Sequence, residues 1–415
     1  MRKKIIVTGP ALTQSGYGEH TRFLLRSLKR REDVFDIYLH NVNWGRTNWI
    51  FEDNEERKWL DFLLQKTVHH SQQQGAFDIS VQVTIPNEWK PIAPINIGVT
   101  AGIETTKVSP QWIEKSWGVD KIITISNHSK QVYENTSYEA TNQESGEKFI
   151  ARCTAPIDIV HYPVKSLEKV DLDINLDYDF NFLTVAQWGP RKNLENTVRW
   201  FIDEFKDKEV GLVVKTNFAK NCLLDRRLTT HKLRQLIADN EGNKCKIYLL
   251  HGYMSDEEIN SLYGHPQIKA LITATHGEGF GLPLFEAGYN GLPIIAPAWS
   301  GHVDFLFMPK KDKNGKIKNK AMFSKVDYTL TPVPPEAVWD GVLQADSMWC
   351  EPKEPSFKLK MKDMVSNWER HATRAKELQK YIVKNFSEEK QHQIFVDSIL
   401  ELVEAPKEEE LVEFD

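Results

Sequence analysis

The residues that most clearly indicate chemistry lie at positions 276–287, where the chain reads HGEGFGLPLFEA. Two glutamates in this segment, Glu278 and Glu286, have seven residues between them. Pro283 suits the first turn of a helix, so we expect Glu278 in the glycine loop before that helix and Glu286 within its early turns. Two carboxylates flanking free backbone N–H groups fit a ligand with hydroxyls at both ends and phosphates in the middle, as in a nucleotide sugar. An ordinary helix start would explain Glu286 but not the two glycines beside Glu278.

A second glycine-containing segment follows the first predicted strand, Lys4–Thr8. Gly16, Tyr17 and Gly18 precede a helix-like run from Glu19 to Leu28. Glycines between a strand and a helix let the backbone approach a phosphate, which the exposed N–H groups and the helix dipole favour. The pattern is not GxGxxG, and a purely structural turn between a strand and a helix would look the same.

These segments resemble retaining glycosyltransferases of the GT-B fold, particularly family 4, whose signature is E-x7-E. The resemblance extends along most of the chain, because 122–130 (IITISNHSK), 188–193 (WGPRKN) and 251–255 (HGYMS) are similar to family segments in the same order. It implies catalytic positions at Glu278, Arg191, Lys192 and Glu104. It implies donor-binding positions at Gly16, Tyr17, Gly18, Lys215, Tyr253, Met254, Gly279, Phe280, Gly281, Leu282, Pro283 and Glu286.

The resemblance also implies roles. Arg191 and Lys192 would meet the donor diphosphate, Glu278 would hold donor-sugar hydroxyls and Glu286 the ribose. Lys192 matches the family lysine, whereas the family often has a further arginine directly after the preceding strand, where this chain reads Gln187-Trp188-Gly189. Arg191 would supply that charge. The alternative for both cations is a place on the surface before a helix.

Two further loops complete the expected site. The loop at 251–255 would hold the nucleotide base, although Tyr253 there is also compatible with simple packing. The loop GIETT at 102–106 would line the acceptor side, which makes Glu104 the acceptor-side candidate. Ser300–Asp304 would border the donor site after the last strand of the second sheet. Lone histidines such as His128 and His302 are more often polar core or surface residues than catalysts.

No metal or other cofactor is expected. The pairs Asp171/Asp173 and Asp177/Asp179 match the D-x-D metal motif, but they sit in a linker-like stretch and are interpreted as solvated charges. Cys153, Cys222, Cys245 and Cys350 show no CxxC spacing, so neither a zinc site nor a disulfide framework is predicted.

Short aliphatic runs alternate with longer amphipathic segments, which predicts an α/β fold of two Rossmann-like domains that face each other across a cleft. We expect an N-terminal acceptor-side domain at 1–170 and a nucleotide-sugar-binding domain at 171–385. A C-terminal helix at 386–404 would return to the N-terminal domain, followed by an acidic tail at 405–415. The predicted strands are Lys4–Thr8, Asp36–His40, Asp78–Val83, Asn96–Thr100, Lys121–Ser126, Asp158–His161, Phe182–Ala186, Gly211–Lys215, Lys246–Leu250, Ala270–Thr273 and Pro293–Ala296.

Helices and turns follow from local patterns. Leu194, Val198, Phe201 and Phe205 form one apolar face of a helix for which Asn193 is the expected N-cap. The chain is predicted to be helical again from Phe357 to Leu402. Seven lysines between 310 and 325 surround an Asn-Gly pair and predict a hairpin, either simply solvated or in contact with an anionic acceptor.

Composition narrows the function class. The net charge of −5 equals the charge of the last twelve residues, so the body is balanced and lacks the positive field of proteins that coat nucleic acid. No apolar run is long enough for a secretory signal or a membrane span, and with the scattered cysteines this predicts a cytoplasmic protein. The expected partners are a nucleotide-sugar donor, with UDP or GDP as nucleotide, and an acceptor glycan, lipid, small molecule or modified nucleic acid base.

Other functions remain open. One alternative is a nucleotide-sugar-binding protein that kept the fold and lost activity. Others are a GT-B enzyme acting on hydroxylated DNA bases, an epimerase, or a phosphorylase with a pyridoxal cofactor. A dehydrogenase is disfavoured, because the first strand-to-helix turn lacks the dinucleotide fingerprint.

Overall fold

The computed structural model describes residues 2–44, 47–238 and 242–404. The expected acidic tail at 405–415 lies outside the described residues. Within them, strands and helices alternate and build two six-stranded sheets, one from each half of the chain.

All strands of the first sheet are parallel, in the order β2-β1-β3-β4-β5-β8. Its half of the chain contains β1 (Lys3–Gly9), α1 (Gly16–Lys29), β2 (Phe35–Asn41), α2 (Glu55–Gln72), β3 (Ile79–Val83), β4 (Ile95–Thr100), α3 (Pro110–Ser116), β5 (Lys121–Thr124), α4 (Asn127–Asn135), β6 (Ser137–Thr141), β7 (Lys148–Arg152) and β8 (Ile157–Ile159). Strands β6 and β7 form a separate antiparallel pair.

The second sheet is also parallel, in the order β11-β10-β9-β12-β13-β16. Its half contains β9 (Asn181–Val185), α5 (Leu194–Phe205), β10 (Gly211–Lys215), α6 (Leu223–Ile237), β11 (Lys246–Leu250), α7 (Asp256–Tyr263), β12 (Ile268–Ile272), α8 (Leu282–Tyr289), β13 (Ile294–Pro297), α9 (Val303–Leu306), β14 (Phe307–Lys311), β15 (Ile317–Ala321), β16 (Ser324–Val326), β17 (Tyr328–Pro332), β18 (Met348–Pro352), α10 (Glu354–Ser366), α11 (Trp368–Asn385) and α12 (Glu388–Glu404).

Continuous aliphatic runs explain why these strands form. A parallel strand covered by helices on both faces is buried throughout, and β3 and β12 are buried along nearly their whole lengths. The eleven strands predicted from the sequence are all present, with ends that agree to within two residues. The face of α5 formed by Leu194, Val198, Phe201 and Phe205 is buried against the second sheet, as predicted.

Each sheet reverses its strand order once, between β1 and β3 in the first and between β9 and β12 in the second. The loops that leave such a switch point diverge to opposite faces and open a crevice at the carboxyl ends of the strands. The glycine segment after β1 and the segment 188–193 after β9 leave from these points. The topology therefore brings the motif loops to one region.

The C-terminal segment predicted as helical from Phe357 to Leu402 is divided into α10, α11 and α12, with breaks at Asn367 and Phe386. Helix α12 packs on α1 of the N-terminal half, where the rings of Phe23 and Phe395 lie 5.2 Å apart. Lys121 at the start of β5 donates to the Ser398 carbonyl at 2.9 Å. The last helix therefore belongs to the packing of the first sheet.

The chain crosses between the halves at two neighbouring places. Residues 160–180 connect the sheets without regular secondary structure. The second crossing is the short turn between α11 and α12. The two are joined directly, since the Val164 N–H donates to the Phe386 carbonyl at 2.8 Å.

The lysine-rich segment forms the predicted hairpin, in which β14 and β15 pair antiparallel around Gly315. Lys310 pairs with Glu377, and Lys318 with Asp312 at 3.1 Å. In the described part of the chain, no helix has the length and apolar character needed to cross a membrane.

Candidate functional site

The helix after the glycine loop begins where the sequence predicts. Gly281 is the N-cap of α8 in the left-handed region, with φ of 91°, a conformation that glycine adopts without strain. Pro283 is the second helical residue, Glu278 lies in the loop and Glu286 lies in the helix. The two carboxylates are thus held at fixed positions by one rigid turn.

A neighbouring turn holds this loop in place. The Glu278 N–H donates to Ser300 Oγ at 2.7 Å, and the Gly301 N–H donates to the Glu278 carbonyl at 2.8 Å. A Cβ atom on Gly301 would lie 1.8 Å from the Gly279 carbonyl oxygen, so only glycine fits there. Ser300 and Gly301 therefore set the position of Glu278.

Glu278, Arg191, Lys192 and Glu104 form a charge cluster between the two halves. Lys192 Nζ lies 2.6 and 2.7 Å from the carboxylate oxygens of Glu278. Arg191 Nη1 lies 3.0 Å from Glu278 and 3.2 Å from Glu104, which follows β4 in the N-terminal half. The cluster brings together all four residues that the resemblance implied as catalytic.

In this cluster, burial and ion pairing shift the pKa values in opposite directions. Burial raises the pKa of Glu278, but Lys192 and Arg191 outweigh it and lower that pKa to about 2. Burial lowers the pKa of Lys192, with Glu278 acting against it. The pKa of Arg191 is raised, because Glu104 and Glu278 outweigh the lowering by burial. Two cations can neutralise an incoming anion if the carboxylates find other partners.

Glu286 has a different environment. Tyr263 at the end of α7 donates its hydroxyl to Glu286 at 2.9 Å. Burial raises the pKa of Glu286 to about 7, while the Tyr263 hydrogen bond acts in the opposite direction. A carboxylate that ionises near neutrality and faces a cavity can accept hydrogen bonds from ligand hydroxyls.

Two adjoining cavities lie between the halves. The central cavity, about 700 Å³, is lined by all four residues of the charge cluster. The polar cavity, about 720 Å³, is lined by charged and amide side chains from both halves. Glu286, Lys215 and Gly16 line both cavities.

The donor-loop residues Gly279, Phe280, Gly281, Leu282 and Pro283 all border the central cavity. Phe280 is only 2% exposed, and its ring packs against Phe305 in the core. The walls of this cavity therefore combine backbone groups with the charge cluster.

The loop after β11 borders the polar cavity through Tyr253 and Met254. The Tyr253 hydroxyl donates to the Glu52 carboxylate across the cleft, and its ring packs edge-on against Phe51. Lys215, at the end of β10, donates to the Gly252 carbonyl. Tyr253 therefore sits at the rim of this cavity and makes a packing contact there as well.

The N-terminal glycine segment differs from expectation. Helix α1 begins at Gly16 rather than Glu19, because Ser15 caps it by accepting from the Gly18 N–H at 3.0 Å. Gly16 borders both cavities, and Tyr17 borders the central one with its hydroxyl 2.9 Å from Thr100 Oγ1. Gly18 borders neither cavity.

Two other expectations need correction. Asn193 occupies the N-cap position of α5, but its backbone is left-handed, with φ of 50°, and its side chain does not cap the helix. It donates instead to the Ala274 carbonyl at 3.0 Å, which ties the cation loop to the loop after β12. Ser300–Asp304 does not follow the last strand of the second sheet, because β16 joins that sheet beyond β13.

The two histidines set aside from the sequence are packing residues. His302 is fully buried, and its Nε2 lies 2.7 Å from the Pro297 carbonyl. His128 packs edge-on against Trp299. Burial lowers the pKa of each imidazole.

Several cavity residues carried no usable sequence signal. Gln14 belongs to an ordinary-looking segment, and Trp339 and Leu343 lie between β17 and β18, two strands that were not predicted. Tyr263, the buried partner of Glu286, was not predicted either. In residues 2–44, 47–238 and 242–404, no three His, Cys, Asp or Glu side chains come together as a metal site would require.

Known proteins resemble this chain in part of its sequence and in its overall structure. No family model matches the chain. A serotype-specific mannosyltransferase, WbdA of Escherichia coli, is 36% identical over 118 residues, a stretch that covers 28% of this chain and 13% of that protein.

Solved structures match over nearly the full length. Sucrose-phosphate synthase from Thermosynechococcus elongatus has a TM-score of 0.62 at 13% identity, with 97% of this chain and 99% of that chain covered. HepE from Anabaena, solved with UDP and glucose, has a TM-score of 0.56 at 13% identity, with 96% and 100% covered. The two facing parallel sheets, their switch-point loops and these neighbours show that the chain has the GT-B fold.

Proposed function

We propose that this protein is a glycosyltransferase that moves a sugar from a nucleotide-sugar donor to an acceptor hydroxyl with retention of anomeric configuration. The observation that carries the proposal is the charge cluster of Arg191, Lys192, Glu278 and Glu104 in the cleft. In the structure its cations are paired with its carboxylates. A diphosphate is the ligand that would take over the cations, while sugar hydroxyls would occupy the released carboxylates.

In the chemical step, one bond forms and one bond breaks at the anomeric carbon. The acceptor oxygen bonds to the anomeric carbon on the face from which the bond to the phosphate oxygen breaks, and the acceptor proton passes to the departing diphosphate. Arg191, Lys192 and the N–H groups at the start of α8 would stabilise the charge on that leaving group. Glu278 would hold the sugar hydroxyls while positive charge develops on the ring.

Glu286 is proposed to accept hydrogen bonds from the ribose hydroxyls. The position of Glu286 supports this role, because the residue borders both cavities and lies in the helix that follows the loop proposed to hold the diphosphate. The polar cavity would then take the base, and Tyr253 and Met254 would form its rim. UDP- and GDP-sugars are the donor classes we propose.

The direct experiment is a thermal-shift screen against UDP- and GDP-sugars, followed by assays of donor hydrolysis and of transfer to acceptors. Turnover of a donor supports the proposal. Affinity without turnover under all conditions would instead identify a binding protein that has lost activity, and no binding of any nucleotide sugar would contradict both functions.

Donor affinity should depend on pH through Glu286. Because its pKa is about 7, the Glu286 carboxyl is mostly protonated at pH 6, so binding of the ribose hydroxyls by the carboxylate must release a proton. We expect affinity for UDP-glucose to be about tenfold weaker at pH 6 than at pH 8. Isothermal titration checks this, and a nucleotide sugar is the right probe because it lacks the phosphate ionisation near pH 6 of free UDP.

The control for this pH dependence is Glu286→Gln, which keeps the shape of the side chain and cannot ionise. Its affinity should be lower at pH 8 and nearly independent of pH. An equally steep profile in Glu286→Gln would show that another group titrates.

Transfer is proposed to need no metal, because side-chain cations and a helix start are in position to balance the leaving group. Turnover after treatment with EDTA and gel filtration should equal that of the untreated protein. A loss that added Mg²⁺ or Mn²⁺ restores would contradict this part of the proposal.

A further inference from the structure

A loop from the C-terminal half crosses onto the N-terminal half beside the central cavity. This loop, residues 333–347, connects β17 to β18 and is here called the crossing loop. Ser109 Oγ donates to its Gly341 carbonyl at 2.8 Å, and Lys107 pairs with its Asp346 at 2.6 Å. At its end, the Thr106 N–H donates to the Met348 carbonyl at 2.9 Å. The crossing loop is therefore held against the N-terminal half along its length.

Apolar packing fixes the tip of this loop. Val342 is buried in the cluster formed by Trp112, Ile103 and neighbouring residues of the N-terminal half, and Leu343 packs against the same cluster. Trp339 and Leu343 exchange two backbone hydrogen bonds, of 3.2 and 2.8 Å. The backbone that carries Trp339 is thus set by contacts on both sides.

Trp339 itself is left uncovered. It is 55% exposed, yet it lines the central cavity together with Glu104 and the donor loop. An aromatic side chain on a fixed backbone loses little freedom when a ligand covers it, and it gains from burial of its large apolar face. This is the arrangement expected of a binding platform.

The side chains that line this part of the central cavity indicate which class of ligand would bind there. Glu104 pairs with Arg191 through one carboxylate oxygen, so the other can accept a hydrogen bond from a hydroxyl. The free oxygen of Glu104 disfavours a phosphate at that point through like charge, and a charged carboxylate makes no favourable contact with a hydrocarbon tail. A pyranose has an apolar C–H face and a rim of hydroxyls, which suits both groups.

We propose that the acceptor is itself a sugar residue, whose C–H face lies on the Trp339 indole with a hydroxyl directed to Glu104. This inference rests on the proposed glycosyltransferase function and specifies its acceptor class. The crossing loop would make the C-terminal half contribute to acceptor recognition as well as to donor binding.

The test compares Trp339→Ala with Trp117→Ala, a substitution of another exposed tryptophan, 46% accessible, that borders neither cavity. The probes are the methyl α-glycosides of glucose, galactose and mannose, and n-octanol as a hydrocarbon chain. Saturation-transfer NMR on protein loaded with UDP measures their binding. At least one glycoside should bind the wild type and Trp117→Ala equally, and Trp339→Ala about tenfold more weakly.

Trp339→Phe should recover most of the lost affinity, because it restores an aromatic face. Equal glycoside binding by Trp339→Ala and the wild type overturns the proposal, as does binding of n-octanol alone or of no glycoside. Binding of UDP by the same samples separates the two hypotheses. If neither UDP nor GDP binds the wild type, the proposed function fails, whereas UDP binding with glycoside affinity insensitive to Trp339→Ala overturns only the acceptor assignment.

Discussion

Replacement of Lys192 by alanine should lower kcat/KM for donor turnover by about a thousandfold. Lys192 is the half-buried cation closest to Glu278, at 2.6 Å, and under the proposed mechanism its ammonium pairs with the departing diphosphate. The positive charge acts on the transition state more than on the bound donor, so kcat should fall more than KM rises. Steady-state kinetics with the donor identified by thermal shift measures both quantities.

Two further variants separate charge from structure. Lys192→Ala also leaves Glu278 with Arg191 as its remaining partner in the cluster, which could disturb the loop. The double variant Lys192→Ala/Glu278→Gln removes that unbalanced carboxylate, and it should restore stability without restoring turnover. Lys208→Ala, which changes an exposed lysine, is the matched control and should behave as the wild type. Unchanged turnover in Lys192→Ala would contradict the mechanism.

Replacement of Gly301 by alanine should reduce donor turnover at least a hundredfold, although Gly301 carries no side chain. The added Cβ would lie 1.8 Å from the Gly279 carbonyl oxygen and 2.9 Å from that of Glu278, so the donor loop must shift. A displacement of about 1 Å in a positioning element can cost a hundredfold in rate. The free energy of unfolding should also fall by about 1–3 kcal/mol, as in overpacked interiors. Kinetics and urea unfolding check the two effects.

Gly118→Ala is the matched control for this substitution. Its new Cβ would meet its nearest atom at 3.6 Å, an ordinary contact, so both turnover and stability should stay close to wild type. Ser300→Ala provides a milder variant, since it removes only the hydroxyl that accepts from the Glu278 N–H at 2.7 Å. Its effect should be about 1 kcal/mol in stability, with a smaller loss of turnover. Full activity in a folded Gly301→Ala protein would show that the loop is not confined as described.

The strands and the motif loops were predictable because their signals are local. A strand buried on both faces appears as a continuous aliphatic run, as in Ile5–Val7, and the spacing of Glu278 and Glu286 around Pro283 lies within one turn and one helix start. The register and the order of the strands then bring the other predicted site residues together. Strand β16 escaped prediction because three residues with alternating burial give too short a pattern.

The features that could not be predicted depend on contacts between segments that are far apart in the sequence. The side chain of Asn193 bonds to the carbonyl of Ala274, which is far along the chain, and this contact replaces the helix cap that local rules predict. The partnership of Tyr263 with Glu286 likewise requires α7 and α8 to be packed together, and the position of Trp339 requires the two halves to meet. Local patterns carry no information about which surfaces meet.

The hydrogen bond between Val164 and Phe386 has a mechanical consequence. Both passages of the polypeptide between the lobes are fastened side by side at 2.8 Å, so the lobes cannot slide apart without breaking this joint. A relative movement of the lobes that keeps this joint would be a pivoting around it, and it would have to move the crossing loop, which Ser109 and Lys107 hold, together with the N-terminal lobe. The width of the gap farthest from the pivot would then change most, while the spacing beside the pivot stays constant.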